Sequence, residues 1–124
     1  GRRMKPAMKR LYAKGRLKPG EMNATESAYA AFLKAEQQAG RIEKFWFESM
    51  KVKIAAGKCW YTPDFMVLRP NGEIELHEVK GTLAVFQDDA RVKVKVAASQ
   101  YPFRMFVVFP KAKRQGCGWN IEEF

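Results

Sequence analysis

The sequence predicts an α/β domain in the order helix, three strands, helix, strand, with a central sheet flanked by helices. Three observations carry that expectation. Residues 26–39 are rich in Ala, Leu, Lys, Glu and Gln, all good helix formers, and Glu26, Tyr29, Ala30 and Leu33 fall at i, i+3, i+4 and i+7 on one face. Residues 45–80 are dense in aromatic and β-branched side chains and in places alternate apolar with polar. Residues 103–109 form a nearly unbroken apolar run, the pattern of a strand buried on both faces. A length of 124 residues suits one domain with a modest core, and a hydrophobic share of 47% argues against a disordered chain.

Taken in order, residues 1–20 form a basic arm. Arg2, Arg3, Lys5, Lys9, Arg10, Lys14, Arg16 and Lys18 all precede the first acid, Glu21. Arg2, Arg3, Lys9 and Arg10 are the candidates there for phosphate contact; a solubilising tail is the plainer reading. The domain proper spans 21–124. Its first helix should start near Asn23–Thr25, where a side-chain oxygen can accept from a free first-turn N–H, and stop at Gly40.

A first strand is expected within Phe45–Ile54, most clearly where Met50, Val52 and Ile54 alternate with Lys51 and Lys53. Gly57 turns the chain, and a second strand should run from about Trp60 to Leu68. The turn signal Arg69-Pro70-Asn71-Gly72 follows. A third strand covers Glu73 to Lys80 and ends at Gly81. Leu83 to Gln100 is ambiguous. Val92, Val94 and Val96 alternate as in a strand, but Asp88 and Asp89 make a good helix start and Ala90, Ala97 and Ala98 favour helix. The helix reading sets Val92, Val96 and Ser99 on one face, with Arg91 and Lys95 beside it. Pro102 ends the helix. Lys111–Gly116 reads as a basic, mobile loop and Trp119–Phe124 as a short edge strand.

A net charge of +10 and a pI near 9.8 favour a polyanionic partner, and nucleic acid is the commonest. A membrane surface would call for a basic helix with a broad apolar face, and none is evident. No apolar run approaches the ~18–20 residues of a membrane span. Cys59 and Cys117 lack metal-ligand spacing and read as free thiols in a reducing compartment. With one histidine, His77, no multi-histidine site can form.

The chemistry concentrates on the carboxylates. Side chains alternate faces along a strand. In the third strand, Ile74, Leu76, Glu78 and Lys80 share one face; Glu73, Glu75, His77 and Val79 share the other, which its charges mark as solvated. Glu78 and Lys80 thus fall in line with the apolar side. In the second strand, Asp64 likewise interrupts the mostly apolar face of Trp60, Thr62, Met66 and Leu68. A three-residue loop, Pro70-Asn71-Gly72, would oppose Arg69 to Glu73 and, continuing that register, Asp64 to Glu78; a two-residue turn would mismatch both apolar faces. Opposed carboxylates ~5 Å apart repel unless a cation sits between them. Oxygen ligands beside a lysine suit Mg²⁺ or Mn²⁺, not Zn²⁺. Such an ion would activate water on a phosphodiester, with Lys80 orienting that water or offsetting charge, and Glu26 completing the metal shell. A buried Asp64–Lys80–Glu78 salt-bridge cluster is the alternative.

Tyr61-Thr62-Pro63-Asp64-Phe65 and Glu78-Val79-Lys80-Gly81, with thirteen residues between Asp64 and Glu78, resemble the PD-(D/E)XK nuclease signature. More narrowly, the chain from about residue 20 onward resembles a family of small proteins encoded by phages and prophages. The matching stretches are Met22 to Glu26 through Tyr29, Tyr61 to Phe65, His77 to Gly81, and Asp88 to Lys93. The resemblance implies a restriction-endonuclease-like αβββαβ core and a metal-dependent endonuclease in the cytoplasm of a bacterial host. It implies Asp64, Glu78 and the Val79 carbonyl as metal ligands, Lys80 as the catalytic lysine and Glu26 as a further ligand. Junction-resolving enzymes share the superfamily, so branched DNA is one candidate substrate alongside duplex DNA. Cutting both strands of a junction would take two sites, which a homodimer would supply.

A basic nucleic-acid-binding protein that keeps the fold without the chemistry is the competing reading; the complete Asp64, Glu78, Lys80 set argues against it. A structural assembly protein would leave the inward-facing carboxylates unexplained. Arg91, Lys93 and Lys95 are candidate phosphate contacts, or simply a solvated helix face. His77 reads as structural or solvent-facing, Glu48 as a rim residue, Trp46, Trp60 and Trp119 as core, and Asp88 and Asp89 as helix caps.

Overall fold

A computed structural model of the chain describes residues 20–54, 60–81 and 88–124, with the backbone alone given for 88–92. The first helix, α1, spans Ala24–Gln38. Asn23 caps it: its side chain accepts from the Glu26 amide, and the Glu26 carboxylate accepts from the Asn23 amide. This reciprocal box satisfies two first-turn donors at once. Gly40, at φ 80°, takes the left-handed conformation that ends the helix.

The strands are β1 (Lys44–Phe47), β2 (Val52–Lys53), β3 (Trp60–Tyr61), β4 (Phe65–Leu68) and β5 (Ile74–Val79). Helix α2 (Asp88–Gln100), strand β6 (Arg104–Pro110), a short 3₁₀ turn (Lys113–Gln115) and strand β7 (Trp119–Glu123) follow. Five strands form one mixed sheet in the order β1-β4-β5-β6-β7, and β2 and β3 form a separate two-stranded sheet. β5 and β6 are parallel neighbours, joined through α2; the other pairs are antiparallel.

Each helix covers one face of the large sheet. Along β6, Met105 and Val107 pack with Leu76, Val94 and Ala97 on the α2 side. Val108 packs with Phe65, Val67, Val79, Tyr29 and Leu33 on the α1 side. The β2–β3 hairpin closes the α2 side: Val52, Ile54 and Tyr61 join that core, while Lys51, Lys53 and Trp60 face out. The Tyr101 hydroxyl ties the end of α2 to this hairpin by donating to the Lys53 carbonyl. No helix among the described residues is long and apolar enough to cross a membrane.

Several expectations need correction. The first two strands are each broken. Glu48, with φ 46°, interrupts the first, and Pro63, which has no N–H to donate, interrupts the second between β3 and β4. The Glu75–His77–Val79 face is not solvated. It lies beneath α1, with Glu75 at 1%, His77 at 3% and Val79 at 7% exposure. Helix α2 buries Val94 and Ala97, with Val96, Ala98 and Tyr101 packed against the same core; of the expected face, Val96 packs inward, Ser99 is exposed and the Val92 side chain lies outside the described residues. Trp60 is 49% exposed, not core. The basic 111–116 loop contains the 3₁₀ turn. Cys117 is an exposed free thiol. Cys59, the basic arm with Arg2, Arg3, Lys9 and Arg10, and the side chains of Asp88, Asp89 and Arg91 lie outside the described residues.

Candidate active site

The β4–β5 ladder pairs Leu68 with Ile74 and Phe65 with His77. The connection is the three-residue loop: the Arg69 amide donates to the Glu73 carbonyl at 2.8 Å, and Gly72 takes the positive φ of 91°. One step past the far end of this ladder, Asp64 stands opposite Glu78. On the other side, β1 pairs Phe47 with Phe65, and the Glu48 amide continues inward by donating to the Asp64 carbonyl at 2.8 Å. Glu48, Asp64 and Glu78 therefore form one row across three strands at one end of the sheet. Lys80 follows Glu78 on the same edge, where its amide donates to the Val108 carbonyl at 2.9 Å.

Helix α1 points its N-terminus at this end. A Cβ placed on Gly81 would stand 4.0 Å from Thr25 Oγ1, so the first turn adjoins the end of β5. Glu26, Glu48 and Asp64 each offer a carboxylate oxygen, and the three oxygens lie within 4.8 Å of one another. Positive partial charge at the helix start favours anions at this position.

The acids are individually anchored. Asp64 Oδ2 accepts from the Val79 amide at 2.7 Å. The Tyr61 hydroxyl donates to Glu78 Oε2 at 2.6 Å. Lys80 Nζ lies 3.5 Å from Glu78 Oε1. Among the described residues Lys80 pairs with Glu78 and not with Asp64, so the three-member salt-bridge cluster is not what forms. Burial first, and then the charges of Glu78 and Glu26, push the Asp64 carboxyl well above the ordinary range; the Val79 amide and Lys80 oppose them incompletely. Burial and the neighbouring Glu78 push the Tyr61 hydroxyl up, so it stays protonated and can donate at any ordinary pH.

This is a site short of positive charge. Its donors are all oxygens, a set that fits a hard divalent cation such as Mg²⁺, Mn²⁺ or Ca²⁺. The lone histidine takes no part. His77 lies on the α1 face, where its Nδ1 accepts from the Tyr29 hydroxyl at 2.5 Å and its Nε2–H donates to Glu75 Oε1 at 2.9 Å. Arg69 grips Glu75 from the other side at 2.9 and 3.1 Å. That chain of groups leads to an open depression of about 430 Å³ at the opposite end of the sheet, edged by Arg69, Glu75, Arg104 and Phe106. Lys93 and Lys95 are exposed on α2.

Of the sequence candidates, the fold gathers Asp64, Glu78, Lys80 and Glu26 at one end of the sheet. For Val79, the hydrogen bond to the site comes from its amide. Two residues were missed. Glu48 joins Glu26 and Asp64 only because β1 pairs with β4, a long-range pairing that no local pattern encodes. Tyr61 reaches Glu78 only because the chain breaks at Pro63; its place inside the Tyr61–Phe65 motif was the available signal.

Comparison with protein-family models, curated proteins and solved structures finds no match to this chain.

Proposed function

We propose that this chain is a metal-dependent DNA endonuclease of the PD-(D/E)XK type, working with Mg²⁺ and with Mn²⁺ as a substitute. One observation carries the reading. Asp64 and Glu78 stand side by side at a sheet end, each with one oxygen anchored, with Lys80 next to them and oxygen donors only. Helix–strand order and the parallel β5–α2–β6 unit support a restriction-endonuclease-like core.

In this reading Asp64 and Glu78 hold the cation, with the Val79 carbonyl and Glu26 as further ligands. The bound ion would polarise the phosphodiester and lower the pKa of a water molecule. Lys80, held near Glu78, places a positive charge where negative charge builds on the phosphate. The +10 chain draws in the polyanion, with Lys93, Lys95 and Arg91 on α2 and the basic arm as phosphate contacts. Branched DNA is one proposed substrate beside duplex DNA, and for a junction a homodimer in the cytoplasm of a bacterial host would supply the two sites.

The test is cleavage of a labelled four-way junction beside linear duplex and single strand, each with Mg²⁺, Mn²⁺ or EDTA. Cutting that needs the cation supports the nuclease, and the preferred strand arrangement identifies its substrate. Salt-dependent binding with no cutting under any condition would leave a basic binding module instead.

A further inference from the structure

The two central acids are anchored alike. Tyr61 donates to Glu78 Oε2 at 2.6 Å, and the Val79 amide donates to Asp64 Oδ2 at 2.7 Å. Each carboxylate keeps its other oxygen for a cation or, at Glu78, for Lys80 at 3.5 Å. The two donors differ in kind. The Val79 amide belongs to the main sheet's own backbone. The Tyr61 hydroxyl is a side chain delivered from a separate hairpin, rooted at 7% exposure among Val52, Ile54, Leu76 and Val94. Its ring is fixed by the core, so its hydroxyl has little freedom to release Glu78.

This anchoring bears on which cation fits. Ca²⁺ gathers roughly 6–8 oxygens and readily takes carboxylates through both oxygens; Mg²⁺ keeps near-octahedral geometry with several waters and few carboxylates. A buried hydroxyl held on one carboxylate oxygen takes up one of its lone pairs and turns it from the cation, which disfavours ligation through both oxygens. We propose that Tyr61 sets the cation specificity of the site: by holding Glu78 Oε2 it keeps Glu78 monodentate and favours Mg²⁺ and Mn²⁺ over Ca²⁺. The proposal rests on the nuclease reading to the extent that Asp64 and Glu78 bind a cation. Tyr61 acts through Glu78 and is a positioning residue.

The test needs no catalysis. Mn²⁺ binding to the DNA-free protein is followed by electron paramagnetic resonance, with Mg²⁺ and Ca²⁺ as competitors, for the wild type and Tyr61→Phe. The wild type should prefer Mg²⁺ to Ca²⁺. In the variant that preference should fall about tenfold, as expected for losing one hydrogen bond to a charged group. An unchanged ratio in a variant with a normal thermal melt overturns the proposal. So does a wild type that binds Mg²⁺ with no preference over Ca²⁺, whether or not the variant folds. A wild type that binds no cation overturns both this proposal and the nuclease reading.

Discussion

Replacing Glu75 by glutamine probes the buried polar chain beneath α1, and the geometry sets the size of the effect. Glu75 is 1% exposed. Burial alone would raise its titration, but hydrogen bonds from His77 and Arg69, with the Arg69 charge, more than offset that and hold it at about 2 against an ordinary 4.5. The gap between those values corresponds to about 3 kcal/mol. The Arg69 side chain is 36% exposed, so solvent screening trims the figure toward about 2 kcal/mol. The folded-state value is the lower one. This stability is therefore present above pH 4.5 and is lost as the pH falls toward 2. Urea unfolding from pH 7 down to pH 2 reads it directly. Between pH 5 and pH 2 the wild type should lose about 2–3 kcal/mol more than Glu75→Gln. Burial lowers the His77 value against an upward pull from Glu75, so its share is lost as the pH falls below 6.5; without the Glu75 charge that loss is larger in the variant and trims the expected difference toward its lower figure. Stability curves that run parallel across the acid range would show that Glu75 is not held ionised by Arg69 and His77.

Three further outcomes follow from the site. Without metal, Asp64→Asn should stabilise the fold by roughly 0.5–2 kcal/mol at pH 7, because it removes a carboxylate crowded by other acids. The folded Asp64 carboxyl titrates above its ordinary 3.8, so the wild type should fall behind the variant as pH rises from there, as melts in EDTA at pH 4 and pH 7 would show. Glu26→Gln should keep the helix cap, since an amide oxygen can still accept from the Asn23 amide, while weakening Mn²⁺ binding; Glu26→Ala should also lose about 1 kcal/mol of cap stability in urea unfolding. Lys80→Ala should lower single-turnover cleavage about 10²–10³-fold with DNA affinity largely retained, as measured by filter binding.

Local patterns carried much of the fold. The Asn23 cap, the α1 stripe through Tyr29 and Leu33, the Gly72 loop and the two-sided burial of Met105–Val108 all follow from short-range periodicity and turn chemistry, and the structure has them. The opposition of Asp64 and Glu78 followed from a three-residue loop, the one length that keeps both apolar faces in register. What could not be read depended on partners from distant segments. Glu75 and His77 look solvated until Arg69 and Tyr29 arrive to satisfy them. Val94 and Ala97 differ little in character from Val96, so only packing against Leu76 and Met105 makes the first two fully buried and leaves Val96 partly so. Glu48 enters the site through strand pairing, and Tyr61 through a break that a proline permits.

If Asp64 and Glu78 hold the cation needed for cutting DNA, cleavage must depend on both the cation and Asp64. Cleavage of a labelled junction by wild type and Asp64→Asn, in Mg²⁺ and in EDTA, tests it most directly, with DNA binding measured on the same samples. The wild type should cut only with Mg²⁺, and the variant should bind DNA without cutting it. An Asp64→Asn protein that cuts as the wild type does would contradict that dependence.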